Sequence, residues 1–391
     1  MQRTPLYILT SGQRLDLFDE PIGESLILNH PLKYWQQQAA ERAGLQIEFI
    51  QQPDGLKPPY FIAGEDVFFT NRYLNEFSAR AIASERNSKA GLLKNPLLDL
   101  LVSAHPVESV NGGYCYDLHY VVDPIRPESQ SILLGMDDLS ASTMKFPLSL
   151  RDTREVIYCS STMAILQIQS PLHLYQANMH KNLEAAAERI RGLGLAGTGR
   201  APEKIEGIEG KWNQIGSYCD IHPTAYLEGC QIGDGASIGA HAVCRYSVIG
   251  NGARISDSVN MFRSIVGDNS CICEQHRVIM SVLYPECFLI SGALQFSIMG
   301  YASAIFAAWI TDARTDQKTI KTVIRGKVVD TGMYFLGCIM GHHAKVTAGV
   351  ITAPGRIIPN HAVIHQDQSL VFNGLPEDHP PGVPFFLKKR E

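Results

Sequence analysis

The sequence predicts an α/β domain followed by a parallel β-helix, and three observations carry that reading. Ile232, Ile249, Val266 and Leu283 recur at intervals of seventeen residues. Within each period the aliphatic positions subdivide into hexads, such as Ile215, Ile221 and Leu227, or Ile232, Ile238 and Cys244. Ahead of them the chain runs apolar, helical, apolar across Leu6–Leu9, His30–Gly44 and Leu45–Ile50, a βαβ signature.

In the N-terminal half, Leu6–Leu9 reads as a strand ending in the turn Thr10-Ser11-Gly12. His30–Gly44 sets Leu32, Trp35, Ala39 and Ala43 at helical spacing, and Gly44 separates this helix from the next strand. Tyr60–Phe69 predicts a further strand, Arg72–Ala83 a helix, Val156–Ile168 one or two strands, and His173–Ile190 a long helix. These elements assign residues 1–191 to an α/β domain with its connecting helix, and the Gly-rich, charged segment 192–213 to a linker.

Residues 214–375 carry the hexads. They continue through Ile249 and Ile255, then Val266, Ile272 and Val278, then Leu283 and Leu289. After an inserted loop at 312–335 they resume as Met340, Val346, Thr352, Ile358 and Ile364. Small residues follow the aliphatic ones, as in Ile232-Gly-Asp-Gly-Ala-Ser, because each short strand sends one side chain inward and then bends at a crowded corner. One coil cannot bury its own apolar side, so coils stack. A helix is excluded by the period and by glycines that would each cost about 1 kcal/mol there. The proline-rich segment 376–391 predicts an extended tail that caps the last coils.

A chain of 391 residues accommodates two domains. A net charge of −5 points away from nucleic acid. The absence of a run of eighteen apolar residues, and an N-terminus too broken for a secretory signal, point away from membranes and towards the cytoplasm. Nine cysteines without CxxC spacing read as reduced, buried fillers.

Three segments add a family resemblance: Pro171-Leu-His-Leu-Tyr-Gln-Ala-Asn178; Ser297-Ile-Met-Gly300 through Ile310-Thr311; and Val328-Val-Asp-Thr-Gly332 with Leu336-Gly-Cys-Ile-Met-Gly341 and Ala353-Pro-Gly355. Together they resemble the bifunctional N-acetylglucosamine-1-phosphate uridylyltransferase/glucosamine-1-phosphate acetyltransferases and related sugar-phosphate nucleotidylyltransferases. The resemblance implies a Rossmann-like nucleotidylyltransferase domain and a left-handed β-helix that assembles as a homotrimer. It also implies Mg²⁺, an acetyl-CoA or other acyl-CoA co-substrate, and a nucleotide sugar or sugar phosphate as ligand. Phe262, Phe288, Phe296 and Trp309 are expected on solenoid faces that a monomer would expose, in keeping with a trimer.

Carried across by residue, the resemblance makes Gly12, Gln13 and Arg14 the nucleotide-binding loop, with Arg14 also catalytic, and Asp66 of Gly64-Glu65-Asp66 the Mg²⁺ ligand. Asp117 and Asp123 are second carboxylates by position only. The family's phosphate-neutralising Lys is replaced by Ile22, and Ile290 stands where its acetyl-transfer base, a His, is expected. His276, one coil earlier, is the substitute base, with His342 and His343 as a second candidate pair. Arg314, Lys318 and Lys321 in the inserted loop are candidates for the CoA phosphates. Read without the resemblance, His222, His241, His276, His342, His343 and His361 are outward polar residues of hexad corners.

The expected function is a divergent sugar-phosphate nucleotidylyltransferase/acyltransferase-type protein that acts on or binds nucleotide sugars. The alternative is a catalytically decayed nucleotide-sugar-binding or structural trimeric protein. Ile22 and Ile290 argue against a full bifunctional enzyme, since an aliphatic side chain neither neutralises phosphate nor accepts a proton.

Overall fold

The computed structural model describes residues 3–387, apart from 103, 106, 127, 137, 139, 146–153, 193–211, 291, 317, 373, 375, 377, 381, 385 and 386. Nearly all of the expected linker, and part of the expected tail, lie outside the described residues.

The N-terminal unit is a mixed sheet in the strand order Gln130–Leu134, Ser88–Leu93, Gly113–Val121, Tyr60–Gly64, Pro5–Leu9, Gln46–Ile50. Pro5–Leu9 runs parallel to both of its neighbours, whereas Gly113–Val121 runs antiparallel to its own. Helices α1 (Leu32–Arg42), α2 (Asn71–Ser84) and α3 (Pro96–Val102) bury Ala39, Tyr73, Phe77 and Leu98 in one cluster with Leu6, Ile8 and Phe61 of the sheet. The strand expected across Tyr60–Phe69 divides: Tyr60–Gly64 stays in the sheet, the chain turns at Glu65 and Asp66, and Val67–Phe69 pairs with Ile165–Gln167. The division leaves two carboxylates at the carboxyl end of a central strand.

The C-terminal half consists of stacked parallel sheets typical of a left-handed β-helix. Its first face runs from Gln214–Ile215 to Arg356–Ile358 and its second from Asp220–Ile221 to Val363–Ile364. The third runs from Tyr226–Glu228 to Ala293–Gln295. Ile232, Ile249, Val266 and Leu283 lie in register on the first face and point into the core, as the period predicts.

The two halves share one core. On the first face the first two coils carry Gln214 and Gln231 at the outward position, but from the third coil to the seventh the residue before the inward aliphatic is also apolar (Val248, Ile265, Val282, Ile298, Ile339) and buried. It is covered by α4 (Pro171–Gly192) through Leu172, Tyr175 and Met179, and by Phe18, Ile22 and Ile27 of the N-terminal unit. On the second face the equivalent outward positions include Ser237, Arg254 and Lys345, which remain in contact with water. Phe262 and Phe296 are packed into or against this shared core, so the expectation that a monomer exposes them is corrected. Phe288 pairs edge-on with Phe306, and Trp309 stands 67% exposed.

One corner of the β-helix carries a ladder of side-chain caps. The Ser217 N–H donates to Asp234 Oδ1 at 2.6 Å, the Asp234 N–H to Asn251 at 2.9 Å and the Asn251 N–H to Asp268 at 2.8 Å. The ladder stops at Pro285, whose side chain offers no acceptor to the Asp268 N–H and which has no N–H of its own to pass on. It resumes where the Tyr301 N–H donates to His342 Nδ1 at 2.7 Å and the His342 N–H to Asn360 at 2.8 Å. The N-terminal unit docks along this corner, where the Tyr284 hydroxyl donates to Glu20 and Asn360 Nδ2 donates to the Phe18 carbonyl.

The inserted loop forms the hairpin Lys321–Ile324 and Lys327–Asp330, and its flanks Ile320, Phe335 and Leu336 enter the shared core. The Arg325 N–H at its tip donates to Asp16 Oδ2 of the N-terminal unit at 2.8 Å.

Candidate functional site

Pro5–Leu9 leads through α1 to Gln46–Ile50 on one side, and the chain then returns to pair as Tyr60–Gly64 on the other. The crevice outside the carboxyl ends of Pro5–Leu9 and Tyr60–Gly64 is therefore a topological switch point, the usual ligand position of an open α/β sheet. Two segments form its walls, Ser11–Gln13 after the first strand and Glu65–Asp66 after the second.

Asp66 and Asp117 converge there. Gly64 is paired beside Asp117, because Ala63 registers with Leu118. A Cβ on Gly64 would lie 2.7 Å from Asp66 Oδ1 and 3.0 Å from Asp117 Oδ2. Glycine thus leaves a cradle between two carboxylates. Asp66 is 8% exposed and accepts from Gln167 Nε2 at 3.0 Å, while Asp117 meets His119 Nε2 at 3.1 Å. Burial raises the Asp66 carboxyl above its ordinary value against the pull of Gln167, and the Asp117 charge raises it further. The hydrogen bond from His119 lowers Asp117. Of the two second carboxylates named by position, Asp117 is brought to Asp66, whereas Asp123 faces its own turn and Arg126.

This donor set suits a small hard cation. Mg²⁺ is commonly held by one or two carboxylates, with waters and ligand phosphates completing its shell. Among the described residues no cluster of three or more His, Cys, Asp or Glu forms an all-protein metal cage.

The opposite wall is already satisfied. Glu65 Oε1 accepts from the Ser11 N–H at 2.8 Å, the Ser11 hydroxyl at 2.6 Å and the Gln13 N–H at 3.2 Å. Gly12, between them, adopts φ +68°, which lets successive amides turn to one side. Arg14 does not face the crevice amides but pairs with Asp19 at 2.6 Å, and Ile22 is fully buried.

The seam between the two halves holds a second cavity of about 570 Å³, lined by Phe18, Glu20, Tyr284, Tyr301, His342 and His361 among others. The Tyr284 hydroxyl donates to Glu20 at 2.7 Å and accepts from the Leu26 N–H at 2.9 Å. His342 accepts the Tyr301 N–H on Nδ1 and turns Nε2 towards Glu20 Oε2 at 3.4 Å. Both nitrogens are directed at protein groups, so the ring clips the N-terminal loop to the corner ladder and offers no lone pair to a substrate. His343 stacks on His361 at 5.0 Å along the same corner.

The remaining predicted residues stay apart from both cavities. His276, expected at an outward corner, is turned in and 2% exposed, with burial lowering its pKa. Arg314 is held by Asp316, with Nε donating to Oδ1 at 2.8 Å, and Lys318 before the hairpin and Lys321 at its start are exposed. The alternation of Tyr114-Cys-Tyr-Asp-Leu-His-Tyr120 places Asp117 and His119 on one side of their strand, a signal available from the sequence. Glu65, Glu20 and Tyr284 carry no such signal, because each acquires its partners from distant parts of the chain.

No protein-family model matches the chain, and comparison with curated proteins finds no match. Among solved structures, a hexapeptide transferase family protein from Anaplasma phagocytophilum is 17% identical at a TM-score of 0.24, covering 39% of this chain and 72% of that one. A likeness at that level carries no functional weight. No helix among the described residues is long and apolar enough to cross a membrane.

Proposed function

We propose that this protein binds a sugar phosphate through Mg²⁺ at the switch-point crevice, and that it is a binder and not an efficient nucleotidyl transferase. The observation that carries the reading is the convergence of Asp66 and Asp117 over the side-chain-free Gly64. Bound there, Mg²⁺ would neutralise phosphate charge and lower the cost of the partly buried Asp66 carboxylate. Gln167 orients Asp66 and His119 orients Asp117, so the carboxylates are positioned before the ligand arrives.

Transfer chemistry has less support. Nucleotidyl transfer relies on cations poised at phosphate oxygens, whereas Arg14 is tied to Asp19 and Ile22 is buried. Acyl transfer requires an accessible base, whereas His276 is buried and His342 is engaged on both ring nitrogens.

Calorimetric titration with N-acetylglucosamine 1-phosphate, with and without Mg²⁺, tests the reading. Mg²⁺-dependent binding is expected for the native chain, and loss of that dependence for Asp66→Asn and for Gly64→Ala, whose added methyl fills the cradle. Pyrophosphate release from UTP and a sugar 1-phosphate is expected to stay at background. Binding indifferent to Mg²⁺ and to both substitutions would remove the cation reading, and rapid pyrophosphate release would restore an enzyme.

A further inference from the structure

We infer that Glu65 is a specificity-determining residue, a built-in anion that occupies the first-loop donors and excludes polyphosphate from them. The inference deepens the proposed binding site and rests on that reading for the identity of the excluded ligands. The geometry of the loop stands without it.

Three donors from two residues meet at a single oxygen of Glu65: the Ser11 N–H, the Ser11 hydroxyl and the Gln13 N–H. Convergent donors around one anionic oxygen are how turned backbone amides hold phosphate. Here the anion is part of the chain. Its backbone is pinned on both sides, by the Glu65 N–H donating to the Leu9 carbonyl at 3.1 Å and the Glu65 carbonyl accepting from Gln36 Nε2 at 3.3 Å. Glu65 therefore reaches the loop from a rigid turn. The cation of the same loop, Arg14, is committed to Asp19. A diphosphate or triphosphate entering the crevice would meet a carboxylate where it needs donors, and like charge at close range disfavours entry. A ligand with one phosphate held on the Asp66 and Asp117 side does not need those donors.

The test uses the full chain, inorganic pyrophosphate as probe and EDTA throughout, so that Asp66 and Asp117 play no part. Glu65→Ala clears both the charge and the occupant, whereas Glu65→Gln removes only the charge and retains an acceptor. The expected order of pyrophosphate affinity is Glu65→Ala, then Glu65→Gln, then the native chain, with about ten-fold or more between the extremes. Equal affinity for the native chain and both variants would overturn the inference, as would tight binding by the native chain. If Glu65→Ala melts too early to titrate, Glu65→Gln decides: no gain over the native chain counts against the inference. Absence of Mg²⁺-dependent sugar-phosphate binding alongside an intact Glu65 response would remove the cation reading alone. An absent Glu65 response with Mg²⁺ binding intact would remove only the inference.

Discussion

The corner ladder of the β-helix and the first loop of the α/β unit both give unpaired backbone N–H groups a side-chain acceptor, yet they differ in what surrounds the acceptor. In the ladder, Asp234, Asn251 and Asp268 each cap the coil beneath, and the distance between cap and amide is set by the repeat. Removing a cap leaves a gap in a stack. In the loop, Glu65 caps Ser11 and Gln13 across fifty-odd residues of chain, beside the further carboxylates of Asp66 and Asp117. Removing it opens a crevice. The same hydrogen bond is structural where the geometry repeats, and selective where it sits at a switch point.

The two halves also differ in how they respond to acid, and this gives the largest expected effect. The α/β unit and α4 bury His105, His173 and His180, with burial lowering His105 and His180 to about 4 and His173 well below its ordinary value. Each is neutral in the folded chain and protonates more readily unfolded, so its contribution is full above about 6.5 and is lost as pH falls towards 4. The loss is about 1 kcal/mol per pH unit for each histidine. Acid titration followed by hydrogen exchange should loosen α4 and the sheet before the ladder amides of Asp234 and Asn251. Simultaneous loss would mean that the shared core couples the halves too tightly for the comparison to hold.

A smaller effect is expected from overfilling a corner. A Cβ on Gly250 would collide with the backbone of Gly267 and Asp268, which cannot yield as a flexible side chain can. Gly250→Val should cost about 3 kcal/mol in a denaturant melt, whereas Gly64→Ala, which meets only carboxylate side chains, should cost far less. Equal destabilisation by the two would show that Gly64 is kept for packing and not for its cradle. The smallest effect sharpens the contrast between the caps. Asn251→Ala removes the acceptor of the Asp234 N–H and should lower stability by about 1 kcal/mol without creating anion binding. Pyrophosphate affinity gained by Asn251→Ala would erase the distinction from Glu65.

Much of the architecture was legible because its physical cause is local. The inward positions of the β-helix follow from steric rules that act within one hexad, and Ile232, Ile249, Val266 and Leu283 register as their spacing requires. The paired aliphatics Val248-Ile249, Ile265-Val266 and Val282-Leu283 hold a further signal that the period alone does not express, because an outward Val or Ile on successive coils needs a partner. Asp66 was legible through the family resemblance and Asp117 by position only, although the alternation of its strand also sets Asp117 on one side with His119. His276 shows the limit of corner reasoning: its hexad position suggested solvent, but the ring is turned inward.

By itself, then, the sequence determined the repeat, the fold of each half and the acidic residues that end the central strand, all of which arise from side-chain size and polarity at short range. Tertiary structure alone decided that α4 and Phe18 cover the first face, that Glu20, Tyr284 and His342 clip the halves together, and that Glu65 fills the first loop. The reason is physical. A hydrogen-bond acceptor has no preference for near or distant donors in sequence, so which amides it satisfies is settled only when separate strands and coils are brought within about 3 Å of one another.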